Sequence, residues 1–319
     1  MRYGACYKGS KNSIAEWIYS HFPKVDNFYD LFAGGCAITQ IALMKQEYKN
    51  YFCNDIDGEG IKLFLNAIFG KYQNETRWIS REDFFRLKDS DPYVKYAWSF
   101  GNNGRDYLYS KEIEPYKKAW HYAIYFHDYS LAKDLGMNLE SIEPIKNIYD
   151  RYIATKRITE YIIQDENITR YQVYERQQQL EALNRLQSLQ SLQSLQSLQS
   201  LQSLQSDYSA ISILPNSIIY CDIPYFDTNS YGAKNKNTFD YERFYNWCRN
   251  QNELVIISEY YMPEDFIVID EIEKSVMMNS GADLKAIEKL YIPKHQLSLW
   301  KSYRKNDYNL WEQQSFDFG

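Results

Sequence analysis

The stretch Ser217–Phe226 reads Ser-Ile-Ile-Tyr-Cys-Asp-Ile-Pro-Tyr-Phe. Its apolar run, Ile218 to Cys221, has the length and composition of a buried strand. A carboxylate (Asp222), a proline (Pro224) and an aromatic ring (Tyr225) follow at once. Asp222 accepts hydrogen bonds, and the Ile223 carbonyl is a second acceptor. Pro224 stiffens the turn with its fixed φ, and Tyr225 offers a flat face. Two acceptors and a stacking ring suit a planar amine such as an exposed nucleobase edge. The same residues also suit a plainer reading, a buried strand closed by an ordinary Asp-x-Pro turn. In an open α/β sheet, ligands bind beyond the carboxyl ends of the strands, so the elements around this segment decide between the two.

Residues 1–70 supply such elements. Ser13 to His21 carries a capping-box pattern, Ser13 with Glu16, at the start of a helix. Val25 to Phe32 reads as a strand running into Ala33-Gly34-Gly35, with a helix from Ala37 to Glu47. A strand, a small-residue turn and a helix let backbone N–H groups approach a ligand. A second strand, Tyr51 to Cys53, ends in Asn54-Asp55-Ile56-Asp57. An acid there can hold ribose hydroxyls or cap the helix expected over Glu59 to Tyr72. Asp57 suits the cap, and Asp55 suits the ribose.

In order, Tyr7-Lys8-Gly9-Ser10-Lys11, Asp30-Leu31-Phe32-Ala33-Gly34-Gly35, Asn54-Asp55 and Asp222-Ile223-Pro224-Tyr225 resemble the Dam-type DNA adenine methyltransferases of bacteria and phages. The resemblance covers roughly residues 1–70 and 207–300. It implies an α/β fold: a class I methyltransferase (Rossmann-like) sheet with an inserted, mainly helical target-recognition region. It implies S-adenosylmethionine as cofactor and adenine-N6 in double-stranded DNA as substrate. By the same resemblance Tyr7, Lys11, Phe32, Ala33, Gly34 and Gly35 flank the cofactor, with Asp30 at the acidic position and Asp55 at the ribose. Asp207-Tyr208 resembles the motif near the cofactor's adenine, and Asp222 borders both ligands. Two positions depart from the family pattern. Asp-Pro-Pro-Tyr is Asp-Ile-Pro-Tyr here, where position 223 needs only its carbonyl, and the third glycine is Cys36.

The chemistry implied is direct. The exocyclic nitrogen of adenine is a poor nucleophile because its lone pair is delocalised into the ring. Hydrogen bonds to Asp222 and the Ile223 carbonyl favour a tetrahedral nitrogen, and acceptors placed beforehand stabilise the charge that develops. Tyr225 would stack on a base extruded from the duplex. Tyr7 or Phe32 would favour a sulfonium cation. Other uses of the same residues are an RNA or cytosine-amine methyltransferase, or a catalytically silent DNA-binding or repeat scaffold protein.

Residues 71–180 interleave basic and aromatic side chains, among them Arg77, Trp78, Arg81, Trp98 and Lys117, as phosphate contact and base stacking require. Its glycine-broken loop holds Asn102, Asn103 and Arg105, residue types that read base edges. Lys146, Arg151, Lys156 and Arg157, on a helix expected over Ile145 to Ile163, suit phosphates. Lys234 and Lys236, in a polar loop after the Asp222 motif, suit DNA as well. Residues 180–206 carry a leucine at every third position, with seven Leu-Gln-Ser triplets over 186–206. On an α-helix this stripe drifts by about −60° per triplet, and a long 3₁₀ helix is poorly stable. The repeat is therefore expected as a spacer between the recognition region and the second catalytic segment. Residues 301–319 form a tail.

Composition bounds the rest. With 45% hydrophobic residues among 319, a large core is within reach. Mean hydropathy is −0.59, and no apolar run approaches the length of a membrane span. Net charge is −6, so DNA contact must use local basic patches. Five scattered cysteines and four histidines show no metal spacing. They suggest a reduced, cytoplasmic protein without a metal, and a cognate restriction endonuclease stays unassigned.

Overall fold

The computed structural model describes residues 2–137, 139–155, 178–225, 239–277 and 283–304. Among these, seven strands form one sheet: β1 (Asn27–Asp30), β2 (Asn50–Asn54), β3 (Leu201–Leu204), β4 (Ser217–Cys221), β5 (Leu254–Glu259), β6 (Phe266–Met277) and β7 (Asp283–Pro293). Their order is β3-β2-β1-β4-β5-β7-β6. The first five run parallel, and β7 is antiparallel to both β5 and β6. The order reverses between β1 and β4, which places a topological switch point beside the end of β4. β1, β4 and β5 are buried along their whole length. Parallel strands covered on both faces must be apolar throughout, which is why Ile218 to Cys221 stands out in the sequence.

Helices α1 (Ala15–Tyr19), α2 (Ala37–Lys45) and α3 (Glu59–Ile68) fall where the pattern placed them, with shorter ends. The capping box expected at Ser13 does not form. Ile14 is the N-cap, and Glu16 accepts a hydrogen bond from the Tyr3 hydroxyl instead. Asp57 does cap α3, accepting from the Glu59 N–H at 2.9 Å. The final strand extends well before the apolar core Leu290 to Ile292, because β7 continues to pair with β6 through a long ladder.

The described residues of 1–5, 9–65 and 191–319 form one compact unit, which carries the sheet. Those of 6–8 and 66–190 form a second, whose described elements are helical apart from an isolated bridge between Ser99 and Tyr107. Its helices carry explicit start signals. Ser80 and Asp91 cap by accepting backbone N–H groups, and Pro92 follows Asp91 where its missing donor costs nothing. Tyr116, Trp120, Ile124, Leu139, Ile142 and Leu180 build the unit's core.

The leucine repeat is more than a spacer. It continues the helix Gln178–Ser188 into two short 3₁₀ stretches, 189–194 and 196–200, and then becomes β3, paired in parallel with β2. A 3₁₀ turn stacks residues i and i+3. Leu189 and Leu192, three apart in the first of these stretches, are accordingly buried, as is Leu186 near the end of the preceding α-helix. Kept to a few residues each, such turns avoid the instability of a long 3₁₀ helix.

Candidate active site

Four polar side chains are brought to the carboxyl edge of the sheet by β1, β2, β4 and β7. Asp222 leaves the end of β4. Lys11, from the segment before α1, places its Nζ 2.5 Å from Asp222 Oδ1. The lysine is 5% exposed and the aspartate 20%, so the pair is largely desolvated. Glu288 of β7 lies 3.8 Å from the same ammonium and also accepts a hydrogen bond from the Tyr225 hydroxyl. Lys11 Nζ sits 4.6 Å from the Tyr225 ring centroid, and that ring packs on Tyr260 at 4.5 Å. Burial pushes the Lys11 ammonium down, but Asp222 and Glu288 outweigh it and hold the group above the ordinary lysine value. Ile223 is buried, and Pro224 is exposed with its carbonyl accepting from the Tyr241 hydroxyl.

Asp30 ends β1 one strand away. It is buried and accepts from the Thr39 N–H and hydroxyl through Oδ2, at 3.2 and 2.7 Å. Its other oxygen has no partner. Burial raises its pKa to about 7, helped by the nearby Asp222 and Asp55 charges. Asp55, after β2, accepts from the Gly34 N–H at 2.9 Å. Burial and Asp57 raise its pKa, against the hydrogen bond from Gly34.

The glycine turn is gripped from the N-terminus. Ala5 N–H donates to the Gly35 carbonyl at 2.7 Å. Gly4 has φ +74°, and a Cβ there would sit 2.4 Å from that carbonyl oxygen. Only glycine fits so close a backbone approach. Cys36, at the family's third glycine, takes the left-handed conformation itself (φ 60°) as the N-cap of α2. Phe32 packs against Tyr208, Phe239 and Phe244, forming an aromatic wall in which the buried Tyr208 hydroxyl has no partner.

Other expected residues sit differently. Asp207 accepts from the Ser209 N–H and hydroxyl and from both terminal nitrogens of Arg243 at 3.0 Å; burial raises its pKa, but the Ser209 and then the Arg243 contacts outweigh it and lower it. Tyr7 belongs to the second unit, where it packs on Tyr96 at 5.0 Å. Asn102 spends its amide on the Tyr96 carbonyl, and Asn103 accepts from the Arg105 and Asp106 N–H groups. These two asparagines shape their own loop, whereas Arg105 is exposed. Arg151 is buried and donates to the carbonyls of Ile124, Ile145 and Lys146, so it is a structural residue rather than a phosphate contact. Arg77 is committed to Glu75 and Asp91. Lys156, Arg157, Lys234 and Lys236 lie outside the described residues.

Two residues were missed. Gly4 gave no motif signal. Glu288 had one: it shares a strand face with Leu290 and Ile292, and all three are buried, so an acid interrupts an otherwise apolar alternation.

Among the described residues no group of His, Cys, Asp or Glu could hold a metal ion, and no helix is long and apolar enough to cross a membrane. The family model described as D12 class N6 adenine-specific DNA methyltransferase matches residues 7–252. No curated protein matches the chain.

Proposed function

Given that the chain belongs to the family of D12 class N6 adenine-specific DNA methyltransferases, we propose that Asp222 and the Ile223 carbonyl hold the amino group of the target adenine. The family's reaction is transfer of a methyl group from S-adenosylmethionine to adenine N6 in DNA. When bound, the cofactor supplies an electrophilic methyl on a sulfonium.

The residues present fit that cofactor. Asp30 offers an unpartnered buried oxygen suited to an ammonium group. The Gly34 and Gly35 turn is closed by Gly4, where a side chain would clash. Asp55 stands at the ribose position, and Phe32 with Tyr208 offers apolar faces for an adenine ring. Asp207 serves this wall through Arg243, which lies over the Tyr208 ring at 5.5 Å.

At the other ligand, Asp222 accepts from Lys11 through Oδ1, and a carboxylate has acceptor sites for several donors at once, so the amine can be one of them. An ammonium beside a carboxylate favours the carboxylate's charged form, and a charged acceptor best stabilises positive charge developing on the amine nitrogen. Tyr225 provides the stacking face. The substrate in this proposal is a double-stranded DNA whose target base is extruded. Arg105, with Lys234 and Lys236, meets the DNA, the second unit acts in target recognition, and the protein works in the cytoplasm. One observation carries the reading: Asp222 ends β4 at the switch point, held by Lys11 and one strand from Asp30. The test is transfer of a labelled methyl group onto duplex DNA against RNA, followed by nucleoside analysis. Label in N6-methyladenine from the duplex supports the reading, and label in RNA or in cytosine contradicts it.

A further inference from the structure

Glu288 lies on β7, beyond the residues that the family model matches. It is 2% exposed, and a buried carboxylate is costly unless its charge is met. An aliphatic residue would satisfy the strand at this position, as Leu290 and Ile292 do on the same face. The acid is instead tied to the site. Its Oε1 receives the Tyr225 hydroxyl and lies 3.8 Å from Lys11 Nζ, which is itself 2.5 Å from Asp222 Oδ1. One ammonium is thus divided between two carboxylates, and the Tyr225 ring is pinned to the second. The antiparallel course of β7 makes this possible: its register with β5, Glu259 opposite Lys289, brings Glu288 level with the end of a parallel strand.

We infer that Glu288 is a positioning residue for methyl transfer, drawing part of the Lys11 charge away from Asp222 and anchoring the stacking ring through its hydroxyl. The inference rests on the assignment of Asp222 made above. A cation shared with a second carboxylate weakens the acceptor less than one paired with Asp222 alone. Lys11 and Tyr225 face Glu288 directly, Asp222 through Lys11, and Tyr220 and Tyr260 at longer range. Burial raises all three phenols, which leaves Lys11 and Asp222 as the charges that matter at neutral pH. Asp30 faces Asp222 from β1, and its titration, raised in part by the Asp222 charge, is common to wild type and the Glu288 and Tyr225 variants below.

The experiment is the single-turnover rate of methyl transfer to duplex DNA from about pH 5 to about pH 10. Glu288→Gln keeps an oxygen for the Tyr225 hydroxyl and removes the charge. It is expected to lower the rate by about tenfold, the equivalent of one pKa unit of acceptor strength. Its basic limb should move to lower pH, into the measured range, because Lys11 loses a neighbouring negative charge while its burial stays. Wild type should hold its rate to the alkaline end. Tyr225→Phe removes only the hydroxyl and should lower the rate without an alkaline fall. A Gln variant with wild-type rate, or with a lower rate and no alkaline fall, overturns the inference. Should that variant fail to fold by circular dichroism, Glu288→Asp decides. Its retracted carboxylate should bring the limb down by less, and no alkaline fall overturns the inference. Asp222→Asn is measured alongside. Near-normal methylation by that variant removes the Asp222 assignment itself, whereas its inactivity with no alkaline fall in the Glu288 variants strikes Glu288 alone.

Discussion

Lys11 and Asp222, 211 positions apart in sequence, meet at 2.5 Å with the lysine buried. The sheet explains how. Asp222 must lie at the carboxyl end of β4, and the segment preceding α1 delivers Lys11 to the same edge. A buried ammonium is tolerated only beside carboxylates, and a carboxylate beside an ammonium stays ionised. The pair thereby prepares an acceptor at the place where the amine of the base is proposed to sit.

Asp30 makes stability depend on pH. In the folded protein, burial keeps it protonated up to about 7, against 3.8 for an ordinary aspartate. Between those values the folded state binds a proton that the unfolded state does not, so this contribution is full below about pH 4 and is lost as pH rises through 7. Asp30→Asn removes the dependence. Without cofactor, its melting temperature relative to wild type should rise between acid and alkaline pH, by the equivalent of a few kcal/mol. A gap that stays constant with pH contradicts this.

Gly4→Ala places a Cβ 2.4 Å from the Gly35 carbonyl at a positive φ. The expected loss is on the order of 2 kcal/mol or more in denaturant unfolding, together with weaker S-adenosylmethionine binding by calorimetry. Wild-type stability would show that the turn yields easily.

Arg105 and Arg151 separate in two assays. Arg105→Ala should weaken binding to DNA and reduce the salt slope by about one, with stability unchanged. Arg151→Ala should destabilise the protein, because three carbonyls lose their donor. Equal salt slopes for the Arg105 variant and wild type would remove that residue from the interface.

Leu192→Ala, at a buried position of the repeat, should cost about 2–4 kcal/mol by thermal or denaturant unfolding. Leu204→Ala, half-buried on the edge strand, should cost less. Equal and negligible costs would return the repeat to a passive spacer.

How much could be read from sequence depended on whether local pattern and tertiary demand agreed. β4 was legible to within one residue, since a strand buried on both faces is marked by its apolar run and its end by Asp222 and Pro224. Asp57 was legible as a cap because capping is local. The Ser13 and Glu16 pattern misled because Tyr3 competes for the glutamate. Asn102 and Asn103 were legible only as residue types, because asparagine suits both base edges and tight turns, and the turn bonds they make are set by the loop's own fold. The repeat resisted because a three-residue period fits no long element, only short 3₁₀ turns followed by a strand. Glu288 was hidden by the ladder: apolar pattern marks only the last residues of β7, while backbone pairing extends it past the acid.

The most direct measurement is methyl transfer by Asp222→Ala on duplex DNA, with S-adenosylmethionine binding measured in the same preparation. The account predicts a fall in kcat of about 10²–10³ or more, as for loss of one preorganised group, while the cofactor still binds. Near-normal methylation by the variant would contradict it.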